Sequence, residues 1–199
     1  QLDNGEVGRI RCSPNGEWRI VMNRTRDTHH ILSKDRRQLL LDISRPKRVL
    51  NCIRFSPDFR TVVTTDSDGR WDTTSSVLRV FSTTEWKLVK TVQILGGQAH
   101  DVVFHPNGRR LYGIVGDGTV RVWDTETWRE VDVLRKHEDH GTGICIDPSG
   151  QFLVTAATDE KRILWRLVPE EAGMVPRGPG HQSPRARNQF ALRPPGREL

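Results

Sequence analysis

Four short stretches of this chain line up on a proline: VGRIRCSPNGEW, LNCIRFSPDFRT, HDVVFHPNGRR and TGICIDPSGQF. The anchors are Pro14, Pro57, Pro106 and Pro148, in steps of 43, 49 and 42 residues. A fixed period of that size constrains the fold more than any single motif, because each repeat is one supersecondary unit that buries its apolar face only against neighbours. Two residues before each proline stand Cys12, Phe55, Phe104 and Ile146, and four before stand Ile10, Ile53, Val102 and Ile144. This period of two is one buried face of a strand. Proline then presets φ for a turn, which continues with Asn, Asp or Ser and, in three copies, Gly. The second copy has Phe59 at the Gly position, so a turn needing φ > 0 there is expected to be built differently.

Further short strand signatures follow each turn, such as RRLYGIVG, GTVRVWD and WREVDVLR after Pro106. Helical periodicity is absent, so the chain is expected to be all-β. Register adds a second test. Trp123 and Phe81 each lie 25 residues before the next anchor, and the same count from Pro57 reaches Leu32. Leu32, Phe81, Trp123 and Trp165 thus share one position, late in the third strand.

These residues, SPNG/SPDF/HPNG/DPSG with GDGTVRVWD and the 42–49-residue step, resemble the WD-repeat β-propeller family from about Val7 to Leu167. The resemblance implies four-stranded antiparallel blades near 7–47, 48–96, 97–137 and 138–167, so that 1–167 is propeller and 168–199 a disordered tail. The fourth blade has three strands and then VPEEAGMVPRGPG, where proline disfavours an outer strand. With no strand to close it, the chain is expected to be the C-terminal part of a larger propeller, the alternative being a homodimer that closes blades between chains.

The family often builds a buried hydrogen-bonded network from a third-strand Trp, an Asp in the turn before it, a second-strand hydroxyl and a His from the preceding loop. By that resemblance blade four supplies the full set in His137, Thr155, Asp159 and Trp165. Blade three supplies Asp117 and Trp123, with Leu95 at the His position. The implied role is structural.

Blade two carries an insertion. Pro57 to Phe81 is 24 residues where the equivalent spacing after Pro106 and Pro148 is 17. The seven extra residues fall in or near DSDGRWDTTSS. In the family, loops between second and third strands lie on a face that often binds partners, so Arg70, Trp71 and Asp72 are the candidate partner contacts. The competing reading is that Trp71 folds back and caps its own blade.

Composition narrows the chemistry. The net charge is +6, of which the tail holds +2, with no dense basic stripe, which argues against nucleic acid. No apolar run reaches the ~18 residues of a membrane helix. The start, QLDNGEVGRI, reads as an interior start. Cys12, Cys52 and Cys145 fit neither a disulfide framework nor a zinc site and read as small buried residues in a reducing compartment, with a cytoplasmic location expected and the nucleus open. KHEDHG (136–141) is the one cluster with metal-like chemistry, and a solvated loop is the plainer reading. No G-x-S-x-G, P-loop or H-E-x-x-H motif occurs. In the tail, Phe190-Ala191-Leu192 is an apolar island between arginines, read as a short linear motif, as an anionic-surface contact or, more plainly, as unstructured terminus.

The expectation is therefore a non-enzymatic scaffold that binds one or more proteins, with no catalytic residue, metal or cofactor. One alternative is a sensor or docking propeller attached to an upstream catalytic domain such as a regulatory kinase. Another is a hydrolytic, lactonase-like propeller.

Overall fold

The computed structural model describes residues 7–23, 29–35, 38–44, 48–68, 70, 74–167 and 187–192. All regular structure among them is strand, arranged as four four-stranded antiparallel sheets, each in the order of the sequence. The first holds β1 (Val7–Cys12), β2 (Trp18–Asn23), β3 (His29–Ser33) and β4 (Leu39–Asp42), and the second β5 (Val49–Phe55), β6 (Thr61–Ser67), β7 (Ser75–Ser82) and β8 (Lys87–Leu95). In the third are β9 (Ala99–Phe104), β10 (Arg110–Val115), β11 (Thr119–Asp124) and β12 (Glu130–Arg135). The fourth has β13 (Gly141–Ile146), β14 (Phe152–Ala157), β15 (Arg162–Arg166) and β16 (Arg187–Leu192). The chain divides into two compact units, Gln1–Ala99 and His100–Leu199.

In each sheet the proline turn joins the first two strands by the same device. The residue before proline offers its carbonyl to the N–H three residues on: Ser13 to Gly16, Ser56 to Phe59, His105 to Gly108 and Asp147 to Gly150, at 2.8–2.9 Å. Gly16, Gly108 and Gly150 have φ of 73–75°. Phe59 does as well, at 59°. The second turn is therefore built like the others, contrary to expectation, with a side chain in the left-handed region that costs ~1–2 kcal/mol. The Phe59 ring packs edge-on to Trp18 at 6.4 Å, and Trp18 also stacks on Phe55 at 5.1 Å. This aromatic packing offsets the strain.

Each unit has its own apolar core. In the first, Ile20, Ile31, Ile43, Ile53, Val62 and Phe81 pack together. In the second, β10, β11, β14 and β15 contribute Ile114, Val120, Leu153, Ile163 and Trp165. Two glycines set the packing here. A Cβ on Gly141 would lie 2.1 Å from Ile114 Cγ1 and 2.9 Å from the Val115 carbonyl oxygen, so only glycine lets β13 start against β10. A Cβ on Gly113 would meet the Trp123 ring at 2.8 Å.

The fourth sheet differs from expectation. Residues 187–192, within the segment read as a disordered tail, form β16 and pair antiparallel with β15, Leu164 opposite Phe190. The physical reason lies in the sequence: the stretch between Pro184 and Pro194 is free of proline and carries the Phe190-Ala191-Leu192 island. The cysteines differ too. Cys52 is buried, but Cys12 and Cys145 are exposed. Cys145 occupies the odd position between Ile144 and Ile146, and so faces away from them.

Candidate functional site

The fourth blade brings four polar side chains together out of water. His137 stands in the loop after β12, Thr155 in β14, Asp159 in the β14–β15 turn and Trp165 in β15. The Trp165 indole N–H donates to Thr155 Oγ1 at 2.9 Å. His137 Nε2 lies 2.8 Å from that same oxygen, and its Nδ1 lies 3.0 Å from Asp159 Oδ2. The indole can only donate, so Thr155 accepts from it; the Asp159 carboxylate can only accept, which places a proton on His137 Nδ1 and leaves Nε2 of the neutral ring to accept from the Thr155 hydroxyl. Thr155 is fully buried, and the His137 side chain has no exposure. Asp159 also accepts from the Glu138 and Lys161 backbone N–H groups at 3.1 and 3.0 Å. Burial pushes its carboxyl up, but these N–H donors and the His137 ring together hold it below the usual carboxylate range. The four side chains bond to one another and, through Asp159, to the Glu138 and Lys161 N–H groups, so the group ties the loop after β12 to the sheet.

Blade three solves the same position another way. Gly113 stands where blade four has Thr155, and the Trp123 ring lies over it with 1% exposure. Asp117 turns instead to Thr119, accepting from its hydroxyl at 2.6 Å, and to Arg121 at 3.0 Å. No hydrogen bond described for Asp117 joins it to Trp123. Leu95, at the His position, is exposed.

The second blade has a third arrangement, which sequence reading missed. Asp66, at the end of β6, has a side chain only 3% exposed and accepts hydrogen bonds from Arg48 Nε and Arg79 Nη1. Arg48 Nη2 also donates to the Asp66 carbonyl at 3.1 Å. These groups line a small open recess with His29, Ile43, Leu50 and Thr64. The available signal was an acid ending an otherwise apolar and hydroxyl-bearing strand, TVVTTDS, with an arginine alternating between apolar residues in SVLRVFS.

The expected insertion lengthens the β6–β7 hairpin. Residues 68–74 connect these strands, against 116–118 for β10–β11 and 158–161 for β14–β15. β6 and β7 are themselves longer than β10 and β11, at seven and eight residues against six each. Arg70 is exposed. Its N–H donates to Asp68 Oδ1 at 3.1 Å, and its carbonyl accepts from Gln98 Nε2. Gly96 and Gly97 N–H groups donate to Thr74 O at 3.0 and 3.2 Å, so the β8–β9 connection braces the base of the hairpin. Trp71 and Asp72 lie outside the described residues.

The KHEDHG cluster separates into individual contacts. His137 joins the network, Glu138 pairs with Lys161 at 2.9 Å, and Asp139 accepts from the His140 N–H at 2.7 Å. Among the described residues no three His, Cys, Asp or Glu side chains gather to hold a metal ion. No helix among them is long and apolar enough to cross a membrane.

Four-stranded antiparallel sheets on a repeated proline turn, with a Trp-Thr-His-Asp network in one of them, are the arrangement expected of WD-repeat blades. The family described as "WD domain, G-beta repeat" matches residues 88–124. The match runs from within β8 to the end of β11, so the sequence repeat is offset by one strand from the sheets. The chain is 34% identical over 105 residues to "Coronin-like protein" of Saccharomyces cerevisiae, covering 51% of this chain and 15% of that protein. It is 25% identical over 142 residues to "Protein HIR1" of Candida albicans, covering 67% and 16%. With "Set1 complex component swd1" of Schizosaccharomyces pombe it shares 32% identity over 91 residues, covering 46% and 23%. The chain thus spans only 15–23% of the length of these relatives.

Proposed function

We propose that the chain is a non-enzymatic protein-interaction scaffold whose partner surface is the lengthened β6–β7 hairpin, with Arg70, Trp71 and Asp72 as its contacts. One observation carries the reading. The hairpin connection runs over residues 68–74, and its base is braced by Gly96, Gly97 and Gln98. A loop fixed at its base has less conformational freedom to lose on binding. Arg and Trp are enriched among residues that dominate interface energy. The polar cluster of blade four supports the non-enzymatic reading, since its groups are consumed by one another. The relatives' names support membership of an assembly: one is a component of a Set1 complex, and another, from Gallus gallus, belongs to chromatin assembly factor 1. Those names extend the proposed location from the cytoplasm to nuclear assemblies. The proposed partners are proteins, with no cofactor, nucleic acid or membrane.

Photo-crosslinking tests the surface. A crosslinker at Arg70 should trap a protein partner, and one at Arg60, exposed in the β5–β6 turn at the other end of β6, should not. Equal trapping at both positions would remove the hairpin as the surface.

A further inference from the structure

Strand β8 is an edge of blade two: among the described strands its one neighbour is β7. It has nine residues, where the last strands of the first and third sheets, β4 and β12, have four and six. Leu88 stands opposite Phe81 as Glu130 stands opposite Trp123, so β12 ends where β8 has Gln93. Ile94 and Leu95 carry β8 further, opposite Ser76 and Ser75 at the base of the lengthened hairpin. Ile94 is buried, but Leu88, Val89 and Leu95 are 49%, 61% and 65% exposed. On β12 every apolar side chain is buried or half-buried. A long edge strand with exposed apolar side chains is a template for pairing with another chain.

Register sorts the side chains of β8. Val80 pairs with Lys90 and Phe81 with Leu88, so Val89 is the extra residue of a bulge. The bulge puts Lys87 and Lys90, three apart in sequence, on one face of the sheet with Val92 and Ile94. Leu88 and Leu95 share the other face with Thr91 and Gln93. The strand, KLVKTVQIL, holds no acid, whereas β12 carries Glu130, Asp132 and Arg135. Lys87 meets Glu85 at 3.6 Å, and among the described residues no carboxylate pairs with the exposed Lys90. A second copy of β8 would set lysines near lysines, which disfavours it. A strand with acids on the lysine face and apolar residues on the other matches both faces.

We propose that the β8 edge receives an extended segment of a partner protein in which acidic and apolar residues alternate, added to blade two as a further strand. Backbone hydrogen bonds hold such a segment, and its side chains select it. This surface goes beyond the hairpin contacts and does not depend on Trp71.

The test uses the full chain and a capped peptide of alternating Glu and Val, with a Lys-Val peptide as control. The Glu-Val peptide should bind saturably, slow hydrogen exchange at alternate amides of β8, and bind more weakly as salt rises. The Lys-Val peptide should bind much less. Methylating alternate backbone nitrogens of the Glu-Val peptide should abolish binding in one phase and spare it in the other, since only one set of N–H groups faces β8. Lys90→Glu changes an exposed side chain, should keep the amide spectrum, and should weaken the Glu-Val peptide roughly threefold to tenfold. Trp71→Ala should leave peptide binding unchanged, so the hairpin and the edge stand or fall separately. Absence of saturable binding, equal binding of the Lys-Val peptide, indifference to methylation in both phases, or unchanged affinity of a folded Lys90→Glu variant would each overturn the proposal. Protection of β8 that grows with protein concentration without peptide would also overturn it, assigning the edge to a second copy of the chain.

Discussion

The Trp165 indole nitrogen and the Thr155 hydroxyl oxygen lie 2.9 Å apart, and the indole donates to the same oxygen that His137 Nε2 meets. Trp165→Phe keeps the packing and removes the donor, leaving Thr155 one partner short. The expected loss is about 1–2 kcal/mol in urea unfolding of the blade. Thr155→Val breaks both the Trp165 and His137 contacts and should cost more, about 2–3 kcal/mol. The double variant should fall well short of the sum, since both changes act on one oxygen.

The network should also set an acid limit. Asp159 has its carboxyl held below the ordinary Asp value of about 3.9 in the folded chain. A group with a depressed folded pKa contributes stability that is present above its unfolded pKa and is lost as pH falls through the folded one. The fourth blade should therefore keep this contribution above about pH 4 and lose it progressively below. Asp159→Asn should be less stable than wild type at pH 7, with the difference shrinking as the pH falls. Thermal melts from pH 7 downward would read this directly, and a constant difference would contradict it.

Two glycines of the second unit make an ordered prediction. Gly113→Ala pushes a methyl into the Trp123 ring at 2.8 Å, an overpacking that should cost about 1–3 kcal/mol. At Gly141 the added carbon meets Ile114 at 2.1 Å and a backbone oxygen at 2.9 Å. Backbone cannot rotate aside as a side chain does, so Gly141→Ala should be the more damaging. Denaturant midpoints of the two variants give the order.

The repeat makes the sheets legible because its period, turn chemistry and alternating apolar pairs all point to one arrangement. The His137, Thr155, Asp159 and Trp165 set can be located by counting from Pro148 and Trp165, since strand register turns sequence offsets into places. Three features escape such counting. Phe59 by itself implies a different turn, because the aromatic packing that holds it in the left-handed region comes from Trp18, 41 residues earlier. The Asp66, Arg48 and Arg79 group is hidden because its members come from three places in blade two, and no offset within the repeat connects them. Strand β16 is hidden because proline and glycine dominate the segment around it, while pairing depends on the short proline-free run alone.

The central claim is that the β6–β7 hairpin carries partner binding. Its most direct measurement is quantitative capture of partners from cell extract by the wild-type chain and by Trp71→Ala, compared with Arg60→Ala as a control at the other end of the blade. The account predicts that at least one partner held by wild type falls by roughly tenfold or more with Trp71→Ala, as loss of an interface hot spot does, and is unchanged with Arg60→Ala. An identical set of partners, at equal amounts, on all three chains would contradict it.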